Sequence, residues 1–164
     1  MKDRGRFGHF PMFMSCKGRV FLVIGGGKVA LRRVHTLRQF DFEIRLVAPE
    51  AGEEIDMLSR DGEIDWRRGS FEENDLEGVA FATACTDDRE TNRMAGEMCR
   101  RHGIPVSVAD APDECDYFFP AVAFGEGVVA GITGDGTDHG KVAGAAERVR
   151  TLLNNADGGN DDGQ

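Results

Sequence analysis

The stretch from residue 19 to residue 30, RVFLVIGGGKVA, constrains the fold more than any other part of the sequence. Its apolar run at residues 20–24 predicts a strand that is buried on both faces of a parallel sheet. Three glycines follow at once, and a helical pattern begins directly after them. A strand, a glycine turn and a helix in immediate succession predict the start of a βαβ unit.

The glycine turn matches GxGxxA, a pattern typical of dinucleotide-binding folds. Gly25 would make the tight turn, Gly27 would let the backbone approach a pyrophosphate, and Ala30 would let the helix pack closely on the strand. Backbone N–H groups and the positive end of the helix dipole would hold the diphosphate. A glycine-rich turn that binds nothing is the alternative. The residues predicted here to contact the cofactor are Gly25, Gly26, Gly27, Lys28 and Val29.

Strand and helix patterns alternate along the rest of the first 120 residues. Further strands are predicted at residues 42–48, 64–67, 79–85 and 104–109. Helices are predicted at residues 29–40, 50–60 and 89–101. This alternation indicates an α/β fold, a Rossmann-like parallel sheet with right-handed crossovers and helices on both faces.

The pattern changes after Pro120. A strand at residues 128–132 and an amphipathic helix at residues 141–154 cannot bury two apolar faces alone, so we expect them to pack on the first domain or on a second subunit. We divide the chain into a dinucleotide-binding domain (residues 1–120), a dimerisation strand and helix (121–155) and a disordered acidic tail (156–164).

Composition excludes several classes of function. The formal net charge of −9 argues against nucleic acid as the main partner, because binding to phosphates needs a basic surface. No apolar run approaches the ~20 residues of a membrane span, and the N-terminus lacks the pattern of a secretory signal, so we expect a cytoplasmic protein. The four cysteines form no CxxC pair, which favours free, mostly buried thiols over disulfides or a zinc site.

Polar residues at the predicted carboxyl ends of strands are the next candidates for the cofactor site. Glu50 follows the second strand and could reach a ribose hydroxyl, or it could be a solvated residue that caps a helix. Thr83, Thr86 and Asp87 lie at or just after the end of a central strand, where ligands bind in open α/β sheets. The alternative for Thr86 and Asp87 is that they cap the following helix.

Five collinear segments together span residues 10–121, and they are FPMFMSCKGR, VIGGGKVALRR, LVAPE, ATACTDDRETN and VSVADAPDECDYFFPA. In these segments the chain resembles one family, the precorrin-2 dehydrogenases of siroheme synthesis, which are the N-terminal part of siroheme synthase and its free-standing relatives. The resemblance implies NAD-dependent oxidation of precorrin-2, a tetrapyrrole, to sirohydrochlorin. Some members also insert iron or cobalt. The family forms homodimers through the strand and helix that correspond to the region after Pro120. We assign no metal ligand to any residue of this chain.

Asp110 is the predicted catalytic residue. It comes directly after a strand, and Ala111-Pro112 follows it as a turn that would fix its direction. It matches the aspartate that the family uses to accept a proton during dehydrogenation and to assist metal insertion. A turn aspartate bonded to its own backbone is the alternative. Basic residues that could bind substrate carboxylates are Arg32, Arg33, Lys141, Arg148 and Arg150, and His139 is the histidine of interest.

The sequence favours NAD over NADP, because no arginine stands at the end of the second strand to receive a ribose phosphate. Two other functions remain open at this point. One is a non-catalytic NAD-sensing module, and the other is a ferrochelatase that acts on sirohydrochlorin.

Overall fold

The computed structural model describes residues 8–125, 127–134 and 139–155. The chain divides into two units. One comprises Ser15–Phe118, and the other is built from the segments on either side of it. Residues 8–14 therefore group with the C-terminal elements and not with the unit that follows them in sequence.

The first unit contains a five-stranded sheet in the order β3-β2-β1-β4-β5, in which every neighbouring pair is parallel. This order is that of a Rossmann-like half, and it confirms the predicted fold class. Apolar runs build the central strands, and each of the five lies within two residues of its predicted bounds. The strands are β1 (Arg19–Ile24), β2 (Phe42–Ala48), β3 (Asp65–Arg68), β4 (Val79–Ala84) and β5 (Val106–Val108).

Helices α1 (Lys28–Leu37), α2 (Glu53–Arg60) and α3 (Arg89–Arg101) connect these strands. Because crossovers between parallel strands are right-handed, the strand order places α1 and α2 on one face and α3 on the other. Small residues on α3 let it lie close to the sheet. The buried cluster on that face contains Leu22, Ile24, Val47, Ala82, Ala84, Val106 and Val108 from the sheet and Ala95 and Cys99 from α3.

Arg33, one of the residues predicted to bind substrate carboxylates, is buried. Its exposed fraction is only 8%, and it shares the buried side of α1 with Ala30 and Val34. Burial lowers the pKa of the guanidinium, and the nearby Cys85 and Tyr117 side chains oppose that shift. Helical spacing contains this information, since a residue three positions after Ala30 lies on the same face.

In the second unit, two strands form an antiparallel hairpin, whereas the sequence predicted a single strand in this region. β6 (Ala121–Gly125) pairs with β7 (Val128–Ile132), and helix α4 spans His139–Asn155. A Cβ added at Gly125 would lie 2.6 Å from the Cβ of Leu153, so α4 packs directly against the end of β6. β6 was missed because its short run of small residues follows a proline. The signal for it is two apolar runs separated by a glycine turn.

All four cysteines are free thiols, as predicted. Burial raises the pKa of Cys85 to about 11 and that of Cys99 to about 12. Both side chains therefore stay protonated near neutral pH and act as small apolar residues. Within the described ranges, no helix is both long and apolar enough to cross a membrane.

Asn92 holds the loop that joins β4 to α3. The backbone N–H and the hydroxyl of Thr86 both donate to Asn92 Oδ1, at 2.9 and 2.8 Å, and Asn92 Nδ2 donates to the Thr86 carbonyl at 3.1 Å. Asn92 has no exposed surface. The residue that caps α3 is Asp88, which accepts the Thr91 N–H at 2.9 Å, and the cap is not Thr86 or Asp87.

We predict that Asn92→Ala lowers the free energy of unfolding by about 1–3 kcal/mol, because it leaves buried polar groups of Thr86 without partners. Urea denaturation measures this change. Arg93→Ala on the exposed side of the same helix is the control, and it should have a clearly smaller effect because exposed ion pairs contribute little. Equal losses in the two variants would contradict the assignment.

Candidate nucleotide and catalytic site

Three predicted site residues lie along one edge of the sheet. Gly25 follows β1, Thr86 follows β4, and Asp110 follows β5. The sheet order places β4 between β1 and β5, and the strands are parallel, so their carboxyl ends share this edge. Backbone hydrogen bonds of 2.9 Å join Cys85 to the end of β1 and Ala109 to the end of β4. Asp110 therefore lies on the same edge as the glycine turn.

Close packing fixes the glycine turn. A Cβ on Gly25 would lie 2.8 Å from the Cys85 carbonyl oxygen, and the φ angle of this glycine is +124°. A Cβ on Gly26 would lie 2.1 Å from the Glu50 carbonyl oxygen. The turn is thus confined between the loops that follow β4 and β2. Gly26 is the variable position of the GxGxxA pattern, so the pattern alone does not explain why this residue must be a glycine.

The amino end of α1 provides a place for an anion. Gly27 is the N-cap, so no side chain caps the helix, and the first turn contains no acidic residue. A Cβ on Gly27 would meet no atom within 4 Å. Lys28 is exposed, Val29 is half-buried, and Ala30 packs against the sheet with no exposed surface. Uncapped backbone N–H groups at the positive end of a helix dipole fit a diphosphate.

Glu50 lies in the loop after β2 and is exposed. The N-cap of α2 is Gly52, so Glu50 does not cap that helix. It borders a cleft at the carboxyl ends of β2 and β3, which Trp66 and Arg68 also line. Arg68 reaches this cleft from β3, so an arginine that the sequence did not place there lies close to the end of β2.

The three predicted residues at the end of β4 occupy different environments. Thr83 has no exposed surface, and its hydroxyl donates to the Ser107 carbonyl at 3.1 Å, which gives it a packing role inside the sheet. Thr86 is half-buried and held by Asn92. Asp87 is exposed at the rim. Of these three, Thr86 and Asp87 have surface that a ligand at this edge can contact.

Asp110 lies beside a cation. Its Oδ1 is 3.9 Å from Nη1 of Arg89, and 39% of its side chain is exposed. Arg89 also forms an ion pair with Glu114, which anchors the guanidinium from the other side. This arrangement keeps the Asp110 carboxylate accessible and fixes a positive charge next to it. The sequence did not identify Arg89 or Glu114.

The chain after Asp110 turns back along the open side of β5. Pro112 starts a short 3-10 turn, and the Asp116 carboxylate then accepts the Val106 N–H at 3.0 Å. Cys115 Sγ accepts the Val108 N–H at 3.1 Å. These contacts give hydrogen-bond acceptors to the backbone N–H groups on the outer side of β5, and they hold the segment that contains Asp110.

The basic residues predicted to bind substrate are divided between the two units. Arg32 is exposed on α1, while Arg33 is buried. Lys141, Arg148 and Arg150 belong to the second unit, where Arg150 pairs with Glu147 at 2.6 Å. The His139 side chain lies outside the described residues. Among the residues that are described, no group of three or more His, Cys, Asp or Glu side chains could hold a metal ion.

Comparison with known proteins identifies the relatives of this chain. The family described as "Putative NAD(P)-binding" matches residues 12–121. The "Probable multifunctional siroheme biosynthesis protein HemA" of Ruminiclostridium josui is 37% identical over 147 residues, which are 89% of this chain and 28% of that protein. Siroheme synthase of Methylococcus capsulatus is 33% identical over 145 residues, 88% of this chain and 31% of the synthase. The chain thus spans under a third of the length of either protein.

A solved structure of similar fold is that of SirC, described as a precorrin-2 dehydrogenase. It has a TM-score of 0.72 and 25% sequence identity, with 88% of this chain and 71% of SirC covered. Together these matches confirm the resemblance to the precorrin-2 dehydrogenase family and the prediction of a nicotinamide dinucleotide as cofactor. The family match covers more than half of the chain, and the parallel sheet with an uncapped helix after the glycine turn agrees with it. The chain therefore belongs to the NAD(P)-binding family.

Proposed function

We propose that this chain catalyses the NAD-dependent dehydrogenation of precorrin-2 to sirohydrochlorin. The observation that carries the proposal is the position of Asp110, an accessible carboxylate on the same sheet edge as the uncapped amino end of α1. The similarity to siroheme synthase and to SirC supports the choice of tetrapyrrole. The geometry alone supports only a class of reaction, which is transfer of a hydride with loss of a proton.

The glycine turn would hold the cofactor. The backbone N–H groups of Lys28 and Val29, together with the open surface of Gly27, would bind the diphosphate. Glu50 would accept a hydrogen bond from a ribose hydroxyl at the end of β2. Thr86 and Asp87 would border the cofactor at the end of β4. Thr83 would not contact the cofactor, because its side chain is buried.

Asp110 would accept the proton. Dehydrogenation removes two electrons and one hydrogen nucleus from the substrate as a hydride, and the bound nicotinamide supplies the acceptor for it. The oxidised substrate then carries a positive charge until it releases a proton, which the Asp110 carboxylate can take. Arg89, 3.9 Å away and paired with Glu114, would act as a positioning residue that fixes a positive charge beside Asp110.

The direct test combines the protein with NAD and precorrin-2 generated in situ and follows the absorbance of NADH. The proposal predicts NADH and sirohydrochlorin in equal amounts. The competing function, a non-catalytic NAD-sensing module, predicts NAD binding without any turnover of tetrapyrrole, and that result would overturn the proposal.

We also propose that the second unit mediates a homodimer in the cytoplasm. Apolar side chains on its hairpin and on α4 are exposed in the single chain, among them Val128 at 50% and Leu152 at 70%. Exposed apolar surface of this kind favours association, and the four free thiols suit a reducing compartment. Sedimentation velocity should give the mass of a dimer, and Leu152→Glu should shift the population toward monomer.

We predict that Asp110→Asn lowers kcat by about 10²- to 10⁴-fold, because the amide cannot accept the proton. The affinity for NAD should stay unchanged, as measured by calorimetry. Asp113→Asn is a matched control, since this exposed aspartate lies on the turn that follows Asp110. Normal turnover by Asp110→Asn would rule out the proposed proton acceptor.

Two glycine substitutions should separate binding from folding. Gly27→Ala places a methyl group in open space at the end of α1, so we expect NAD affinity to fall about tenfold or more with little loss of stability. Gly26→Ala forces a methyl group against the Glu50 carbonyl, which should destabilise the fold by about 1–3 kcal/mol. Calorimetry and urea denaturation measure the two effects, and unchanged NAD affinity in Gly27→Ala would contradict the proposed diphosphate site.

A further inference from the structure

The cleft that Glu50 borders has a volume of about 460 Å³ and lies at the carboxyl ends of β2 and β3. Three of its lining residues are acidic, namely Glu50, Glu53 and Asp56. Trp66 and Arg68 approach it from β3. This cleft therefore combines one aromatic ring, one guanidinium and three carboxylates.

Two residues that line the cleft, Glu50 and Ala51, also contact the glycine turn. Gly26 lies against the backbone of Glu50 and Ala51, at a distance that leaves no room for a side chain. A dinucleotide whose diphosphate lies on α1 would thus extend its adenosine half past Glu50. The 2′ position of that ribose is the one atom site at which NAD and NADP differ, since NADP has a phosphate there.

Arg68 is the cation of this cleft that could receive such a phosphate, but two contacts already engage it. Its guanidinium carbon lies 4.3 Å from the centre of the Trp66 ring, and the guanidinium forms an ion pair with Asp56. Trp66 is itself fixed, because its Nε1 donates to the Ala48 carbonyl at 3.1 Å. The Asp56 carboxylate is 18% exposed and also pairs with Arg60.

We propose that the ion pair between Asp56 and Arg68 sets the preference of this chain for NAD over NADP. In the parent protein, Asp56 engages Arg68 in an ion pair, and Glu50 and Glu53 would repel a phosphate dianion. Without the Asp56 charge, Arg68 becomes available for a charge-assisted hydrogen bond to the 2′-phosphate. Asp56 is thus a positioning residue for Arg68. The inference rests on the proposed nucleotide site and needs no tetrapyrrole.

The test measures the affinities for NAD and for NADP by calorimetry, without substrate. Trp66 is the only tryptophan, so its fluorescence reports on binding at this cleft independently. In Asp56→Asn, the affinity for NADP relative to NAD should rise about tenfold, the factor expected of one charge-assisted hydrogen bond. The double variant Asp56→Asn with Arg68→Gln should return to the parent ratio.

Glu63→Gln is the matched control, because it removes the same charge from an exposed ion pair with Arg38 that does not line this cleft. Its ratio of affinities should equal that of the parent. Arg68→Gln alone should also leave the ratio unchanged, since Asp56 already engages the Arg68 guanidinium and keeps it from a 2′-phosphate. This single variant tests the inference even if Asp56→Asn does not fold.

Three results would overturn the inference: an unchanged ratio in Asp56→Asn that still binds NAD, a gain that persists in the double variant, or a loss of NADP binding in Arg68→Gln. None of them depends on turnover. If both nucleotides bind as expected while precorrin-2 is not oxidised, the proposed activity fails and the inference stands.

Discussion

The close packing of the glycine turn is the constraint on which the rest of the first unit depends. Gly25 lies against the backbone after β4, and Gly26 lies against the backbone after β2. No other residue type fits either contact without displacing a neighbouring loop. Because the turn is held from both sides, α1 starts directly above the sheet edge, and its uncapped amino end lies where three strands end together.

The proposed cofactor site and the proposed catalytic residue lie at different places along this edge. Beyond β2 and β3, the cleft with Trp66 is suited to the adenosine half of a dinucleotide. Beyond β4 and β5, Asp110 is suited to accept a proton from a substrate. Each of these two places has an ion pair, Asp56 with Arg68 in the first and Arg89 with Asp110 in the second. The roles that we propose for the two pairs are therefore separate, one in cofactor binding and one in proton transfer.

Hydrogen bonds from three polar side chains hold the loops at this edge, and of these side chains Asn92 is fully buried. Asn92 makes three hydrogen bonds to Thr86, while Cys115 and Asp116 satisfy backbone N–H groups of β5. These residues would not contact a ligand, but they hold the loops that would. A substitution at any of them should affect function through loop position, which differs from the effect expected at Asp110 itself.

Local sequence determined the strands, the helices and the glycine turn, because apolar periodicity and glycine are properties of neighbouring residues. It also placed Asp110 at the end of a strand. Only the tertiary structure decided which charged side chains meet. Arg68 and Asp56 are twelve positions apart, and Arg89 and Asp110 are twenty-one apart. Such pairs depend on strand order and helix rotation, and no single segment of sequence contains that information.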